Sequence, residues 1–218
     1  MQRRQRTVSR DRTDVADMSV PVSATGSKTR LGLFGGSFDP VHCGHLLVAQ
    51  AACEELGLSR LFFIPAAQSP FKPQNAPAPA KERLGLLRLA LAGQPHYEID
   101  EQEIRRGGAS FSIDTVRDFA RRFPQAELLY LIGADHVPTL PAWRDAESLA
   151  RLVEFVVIPR PGQRPAPLPQ PFRGRELAGF PLGVSSSQVR SRVKAGLTIR
   201  GLVPDAVKEA IGNSGLYL

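Results

Sequence analysis

Two histidines three residues apart, His42 and His45, close the run Gly35-Gly36-Ser37-Phe38-Asp39-Pro40-Val41-His42-Cys43-Gly44-His45. The apolar stretch Leu31 to Phe34 just before it reads as a short buried strand. Gly35 and Gly36 let the backbone turn and come close to a ligand, Ser37 and Phe38 carry the turn onward, and Asp39-Pro40 redirects the chain toward a helix opening near Gly44. Residues three apart share one face of a helix, so both imidazoles are expected beside its first unpaired N–H groups. Donors of that kind, in the positive field of a helix N-terminus, hold phosphate oxygens.

Plainer readings of the same residues exist. A zinc site wants about four ligands in tetrahedral array, and no second cluster of Cys and His occurs in the chain. A capping histidine with a core partner is the commoner fate of a lone imidazole, yet it gives no reason for the glycine pair at the strand end.

Two further segments carry chemistry. Ser185, Ser186 and Ser187 stand at a second expected helix entrance with Arg190 one turn further in. Serines cap helices routinely, and hydroxyls, backbone N–H groups and a guanidinium together also hold a polyphosphate. In Gly133-Ala134-Asp135, at another strand end, Asp135 is suited to accept hydrogen bonds from ribose hydroxyls. Trp143, the only tryptophan, is suited to stack on an aromatic ring, although a lone Trp is more often core.

Positioning these residues requires an alternation of apolar runs and longer amphipathic stretches, the pattern of βα units on a parallel sheet. Strands are expected at Leu31 to Phe34, Leu61 to Pro65, Tyr97 to Ile104, Leu128 to Ile132 and Phe155 to Pro159. Helices are expected at Gly44 to Leu56, Lys81 to Ala92, Ser112 to Phe123 and Trp143 to Arg151, with two short ones split at Pro204 in a C-terminal tail from Ser185. Sheets of this kind bind ligands at the carboxyl ends of their strands. The proline-rich segments 65–79 and 159–171 suit neither helix nor central strand. The first reads as a loop carrying Lys72 over the strand ends, the second as a surface excursion.

The chain of 218 residues is long enough for one α/β domain, expected over residues 30–218. Four of its seven net positive charges fall in residues 1–30, in a polar stretch expected to be a disordered leader over 1–29 in which Met18 is a candidate start. Once the charge is located there, it does not argue for nucleic acid as a partner. No apolar run reaches the roughly 20 residues that span a bilayer, and two cysteines are too few for a disulfide framework. A cytoplasmic protein with no membrane partner is expected; oligomeric state is not legible.

The run Gly35 to His45 resembles the GGSFDPVHxGH form of the HxGH signature of the nucleotidyltransferase superfamily. Val184 to Arg190 is similar to its ISSTxIR signature, with Ser187 for Thr and Val189 for Ile, and Gly133 to Trp143 is similar to the GADxxxxLxxW pattern of the bacterial nicotinate mononucleotide adenylyltransferases. Ser69-Pro70-Phe71-Lys72 and Ser110 to Thr115 match that family as well, so the resemblance runs from Leu31 to the end of the chain. Phe71 stands where histidine is common, Ser112 where threonine is usual, and the insert after Arg160 is long.

The resemblance implies a Rossmann-like parallel sheet flanked by helices, and adenylyl transfer from ATP to nicotinate mononucleotide, with pyrophosphate released and deamido-NAD formed in NAD biosynthesis. It implies His42 and His45 on the α- and β-phosphates, Ser186 and Arg190 on the β- and γ-phosphates, and Lys72 on the incoming phosphate or the pyrophosphate. Around the pyridine substituent it implies the Ser112 hydroxyl and the backbone N–H of Arg144. Mg2+ is expected to arrive with ATP, since no acidic cage is visible. Other readings remain: a different mononucleotide or phosphopantetheine adenylyltransferase without the Asp135 to Trp143 segment, a nucleotide-binding regulatory module, and a basic nucleic-acid-binding protein.

Overall fold

The computed structural model describes residues 28–70, 76–162, 166–180 and 182–218. Lys72 and residues 1–27 of the expected leader therefore lie outside the described residues. The elements run β1 (Arg30–Gly36), α1 (Cys43–Leu56), β2 (Arg60–Pro65), α2 (Ala80–Leu91), β3 (Tyr97–Ile99), α3 (Gln102–Arg106), α4 (Ser112–Arg122) and β4 (Glu127–Gly133). A 3-10 helix (Ala134–Ala142), α5 (Ala146–Leu152), β5 (Glu154–Ile158), β6 (Gly174–Glu176), α6 (Ser186–Lys194) and α7 (Asp205–Ser214) complete the chain.

The six strands are ordered β3-β2-β1-β4-β5-β6, and every neighbouring pair is parallel. This is the Rossmann-like order: the chain starts mid-sheet at β1, winds outward to β3, then returns to lay β4 on the other side of β1. The reversal opens a crevice beyond the carboxyl ends of β1 and β4.

Period-two alternation loads both sheet faces. Phe34, Leu61, Phe63, Leu129, Leu131 and Val156 enter one core with α1, α2, α6 and α7. Leu31, Leu33, Phe62, Ile64, Leu128, Ile132, Phe155 and Val157 enter the other with α4 and α5. The helices answer in their own period, as Ile113, Val116 and Phe119 do at three-residue spacing on α4.

Three departures from the expected elements have local causes. The strand expected to reach Ile104 stops at Ile99, because Asp100 Oδ1 accepts from the Gln102 N–H at 2.9 Å and so starts a helix. Trp143 does not open a helix; it follows a 3-10 segment that carries Pro138 and Pro141, whose missing N–H groups disfavour a regular α-helix. Strand β6 was not expected, since Gly-Arg-Glu is exposed and has no apolar alternation. Among the described residues no helix is long and apolar enough to cross a membrane.

Candidate active site

The turn after β1 is built around Phe38, whose backbone is left-handed at φ 46°. A bulky residue is strained there, and it is held by burying its ring: centroids lie 5.4 Å from Phe63, 5.6 Å from Phe34 and 5.0 Å from the His45 imidazole. His42 is the N-cap of α1 in extended conformation, and its own N–H donates to His45 Nδ1 at 3.2 Å. The two imidazoles stack at 3.7 Å. With Nδ1 of His45 accepting, a neutral ring carries its proton on Nε2. His42 Nδ1 is buried and has no hydrogen-bond partner among the described residues.

Both rings are held neutral. Burial lowers His42 to about 4; burial, followed by repulsion from His42, lowers His45 well below the ordinary histidine value.

The far end of the chain closes over the same turn. Ser185 caps α6 through the Gln188 N–H at 3.2 Å, and Ser186 donates to the Pro40 carbonyl at 2.9 Å, so its proton is committed to the turn. Ser187 is exposed. Arg190 Nη1 donates to the Asp39 carbonyl at 2.6 Å and lies 3.7 Å from its carboxylate. Tyr217 donates to Asp39 Oδ1 at 2.7 Å, and Cys43 N–H to the Leu202 carbonyl at 2.8 Å.

Arg83 completes this cluster and was not singled out in the sequence. Only 1% exposed, it donates through Nη1 to the Ser37 carbonyl at 2.7 Å and through Nε to the Ala78 carbonyl at 2.9 Å. One carboxylate, Asp39, thus sits among two guanidiniums, which leaves excess positive charge behind the turn. A signal was present: Arg83 shares the four-residue spacing of Leu87 and Leu91, both buried on α2, and a charged residue on an apolar stripe has partners inside.

Across the switch point, a cavity of about 180 Å³ is lined by Pro70, Ser110, Phe111, Ser112, Ala142, Trp143, Arg144 and Leu149. Ser112 opens α4, whose N-cap Phe111 supplies no side-chain cap, so unpaired N–H groups gather at that rim. The Trp143 indole N–H donates to Thr139 Oγ1 at 3.2 Å, which sets the plane of the ring, while the Arg144 guanidinium lies 4.7 Å above the Phe111 ring. Ser110 pins the neighbouring loop by accepting from the Ala67 N–H at 2.9 Å and donating its own N–H to the Gln68 carbonyl at 2.9 Å.

Asp135 lies in the first turn of the 3-10 helix, paired with Arg160 at 3.1 Å. Burial pushes its carboxyl up, but Arg160 and then His136 outweigh this and hold it below the ordinary range. Gly133 makes this possible, because a Cβ there would stand 2.5 Å from Asp135 Oδ1. The turn and the cavity share a wall: a Cβ on Gly35 would lie 2.9 Å from the Tyr130 hydroxyl, and that hydroxyl donates to Ser112 Oγ at 2.8 Å. Tyr130 was also missed, since a tyrosine inside an apolar strand reads as core.

Comparison with known proteins agrees with this architecture. The family model of cytidylyltransferase-like proteins matches residues 33–192. A Gemmatimonas aurantiaca protein named "Probable nicotinate-nucleotide adenylyltransferase" is 47% identical over 195 residues, 86% of this chain and 92% of that protein. A Thermus thermophilus protein of the same name is 42% identical over 191 residues, 86% of this chain and 99% of its own. Among solved structures, Plasmodium falciparum nicotinic acid mononucleotide adenylyltransferase complexed with NaAD has the same fold at a TM-score of 0.73 and 14% identity, covering 87% of this chain and 97% of that one. With a family match over most of its length and near-full-length relatives above 40% identity, the chain belongs to the cytidylyltransferase-like family and, within it, to the bacterial nicotinate-nucleotide adenylyltransferases.

Proposed function

We propose that the chain transfers the adenylyl group of ATP to nicotinate mononucleotide, forming deamido-NAD and releasing pyrophosphate. The observation that carries this reading is the shared wall. Tyr130 stands between Gly35 of the phosphate turn and Ser112 of the aromatic-walled cavity, so a triphosphate and a pyridine ring can be held side by side. The relatives' names and the NaAD complex of the Plasmodium protein support the same choice of substrates.

The phosphate monoester is already ionised at neutral pH and attacks the α-phosphorus in line as pyrophosphate departs. Neither a covalent intermediate nor a dedicated base is needed, so the protein's contribution is positioning and charge stabilisation. We assign His45 Nε2–H and the His42 ring to the α- and β-phosphate oxygens. Arg190, with one of its five donors on Asp39, goes to the terminal phosphates with Ser187, and Lys72 to the incoming phosphate or the pyrophosphate. Ser186 acts from behind, tying α6 to Pro40. Gly35, Gly36, Ser37 and Phe38 shape the turn, and Ser185 fixes the α6 N-terminus.

For the mononucleotide, Trp143 stacks on the pyridine ring and Asp135, beside Gly133, accepts from ribose hydroxyls. The Ser112 hydroxyl and the Arg144 backbone face the carboxylate, an anion that would supply the cap α4 lacks. Mg2+ enters as part of the ATP substrate, riding on the triphosphate and keeping several of its waters. Phosphorylated substrates that do not cross membranes unaided support a cytoplasmic setting.

The test is pyrophosphate release from purified protein with MgATP and either mononucleotide, with the dinucleotide product identified by mass. Absence of release with both mononucleotides refutes the reading.

A further inference from the structure

We propose that Tyr130 is a positioning residue that sets the choice of acid over amide, by fixing the direction of the hydrogen bond at Ser112. The inference rests on the reading just given, in which the pyridine substituent meets Ser112.

The phenol is buried, with the residue 5% exposed, and its ring is held edge-on between Trp143 at 6.3 Å and Phe155 at 6.0 Å. A buried O–H needs an acceptor, and here it is Ser112 Oγ at 2.8 Å. The other nearby acceptor, the Glu103 carboxylate, is already engaged by Thr115 at 2.6 Å and by Ser110. Burial, with the negative field of Glu103 after it, keeps the phenol protonated. Only the gap left by Gly35 admits the hydroxyl at this point.

A serine that accepts from the phenol keeps its own proton to donate. Because Ser112 lines the cavity at the start of α4, where the N-cap side chain makes no capping bond, its O–H and the first N–H groups of the helix are donors toward that rim. A carboxylate satisfies donors with both oxygens, whereas a carboxamide must turn its N–H2 toward one of them. With the phenol in place one lone pair of Ser112 Oγ is taken and its rotor is set; without it both lone pairs are open and the hydroxyl rotates to accept from that N–H2, so the discrimination should collapse.

The experiment compares kcat/KM for nicotinate and nicotinamide mononucleotide in the wild-type protein, Tyr130→Phe, Ser112→Ala and the double variant, with thermal unfolding as the check on folding. Tyr130→Phe is expected to lower the acid-to-amide ratio about tenfold, chiefly by raising use of the amide, and to have no further effect on the ratio once Ser112 is Ala. A folded Tyr130→Phe that slows both substrates equally shows a merely structural tyrosine and overturns the inference. Should the wild-type protein use neither mononucleotide, the functional reading fails first and this inference with it. If it uses the amide as well as the acid, only the present inference is lost.

Discussion

Tyr217, near the end of the chain, donates its hydroxyl to the carboxylate of Asp39 in the phosphate turn at 2.7 Å, across 178 residues of sequence. The bond makes the tail beyond α7 part of the turn's support. Tyr217→Phe removes a hydrogen bond to a buried charged group, worth about 1.5–3 kcal/mol. The melting temperature is expected to drop by roughly 3–12 °C, at about 2–4 °C per kcal/mol for a domain of this size. The ATP KM should rise with it, since Asp39 also orients Arg190. Unchanged melting in Tyr217→Phe would show the bond to be dispensable.

Acid should destabilise the free protein through the paired histidines. His42 is held at about 4 against an ordinary 6.5, so below pH 6.5 the unfolded chain binds a proton that the folded chain refuses. Stability is then lost as pH falls from 6.5 toward about 4, by on the order of 3 kcal/mol for a shift of this size, and is unaffected by this group above 6.5. A bound triphosphate favours the protonated rings, so ATP should blunt the acid sensitivity and bind with proton uptake. Calorimetry in buffers of different ionisation enthalpy measures the uptake; a flat melting profile between pH 7 and 5 contradicts the assignment.

His42→Ala and His45→Ala should each lower kcat by ~10²–10³, the usual effect of removing one preorganised donor to a phosphoryl oxygen. His45→Ala also takes away the acceptor of the His42 N–H, so it should be the less stable of the two. Near-wild-type turnover in either purified variant rules out the role.

Arg190→Ala should raise the ATP KM, and Arg190→Lys should not restore it. A lysine keeps the charge but cannot hold the Asp39 carbonyl and a phosphate together as a guanidinium does. Recovery of the KM in Arg190→Lys would reduce the residue to a point charge.

Asp135→Ala should raise the mononucleotide KM while leaving that for ATP in place, and Trp143→Ala should weaken acid and amide alike, because stacking does not sense the substituent. Arg160→Ala is the control: its exposed pair with Asp135 is worth at most about 1 kcal/mol, so melting should hardly move. A rise in the ATP KM for Asp135→Ala would place that carboxylate on the other nucleotide.

Much of this was legible in the sequence because signals of different kind coincided. The unbroken apolar run Leu128 to Ile132 suits a short strand buried on both faces, three-residue spacing in Ile113, Val116 and Phe119 suits a helix, and the glycine turn before His42 makes sense only at a strand end. What escaped depends on contacts between residues far apart in sequence. Nothing local marks Tyr217 as a partner of Asp39, or Tyr130 as the neighbour of Ser112. Asp100 ended β3 early by competing for the backbone; only Tyr97 and Ile99 alternate as a strand does, and the expectation carried to Ile104 ran through the polar residues Asp100 to Glu103.

Arg83 and Ser110 each tether a stretch of chain on one side of the binding crevice. The Ala78 carbonyl, just ahead of α2, is held by a guanidinium that also holds Ser37; Ala67 and Gln68, just after β2, are bonded to Ser110 at the cavity rim. The chain leaving β2 and the chain entering α2 are thus moored at two separate posts, one belonging to each half of the crevice. Substitution of one post is expected to release its own half while the other keeps its berth.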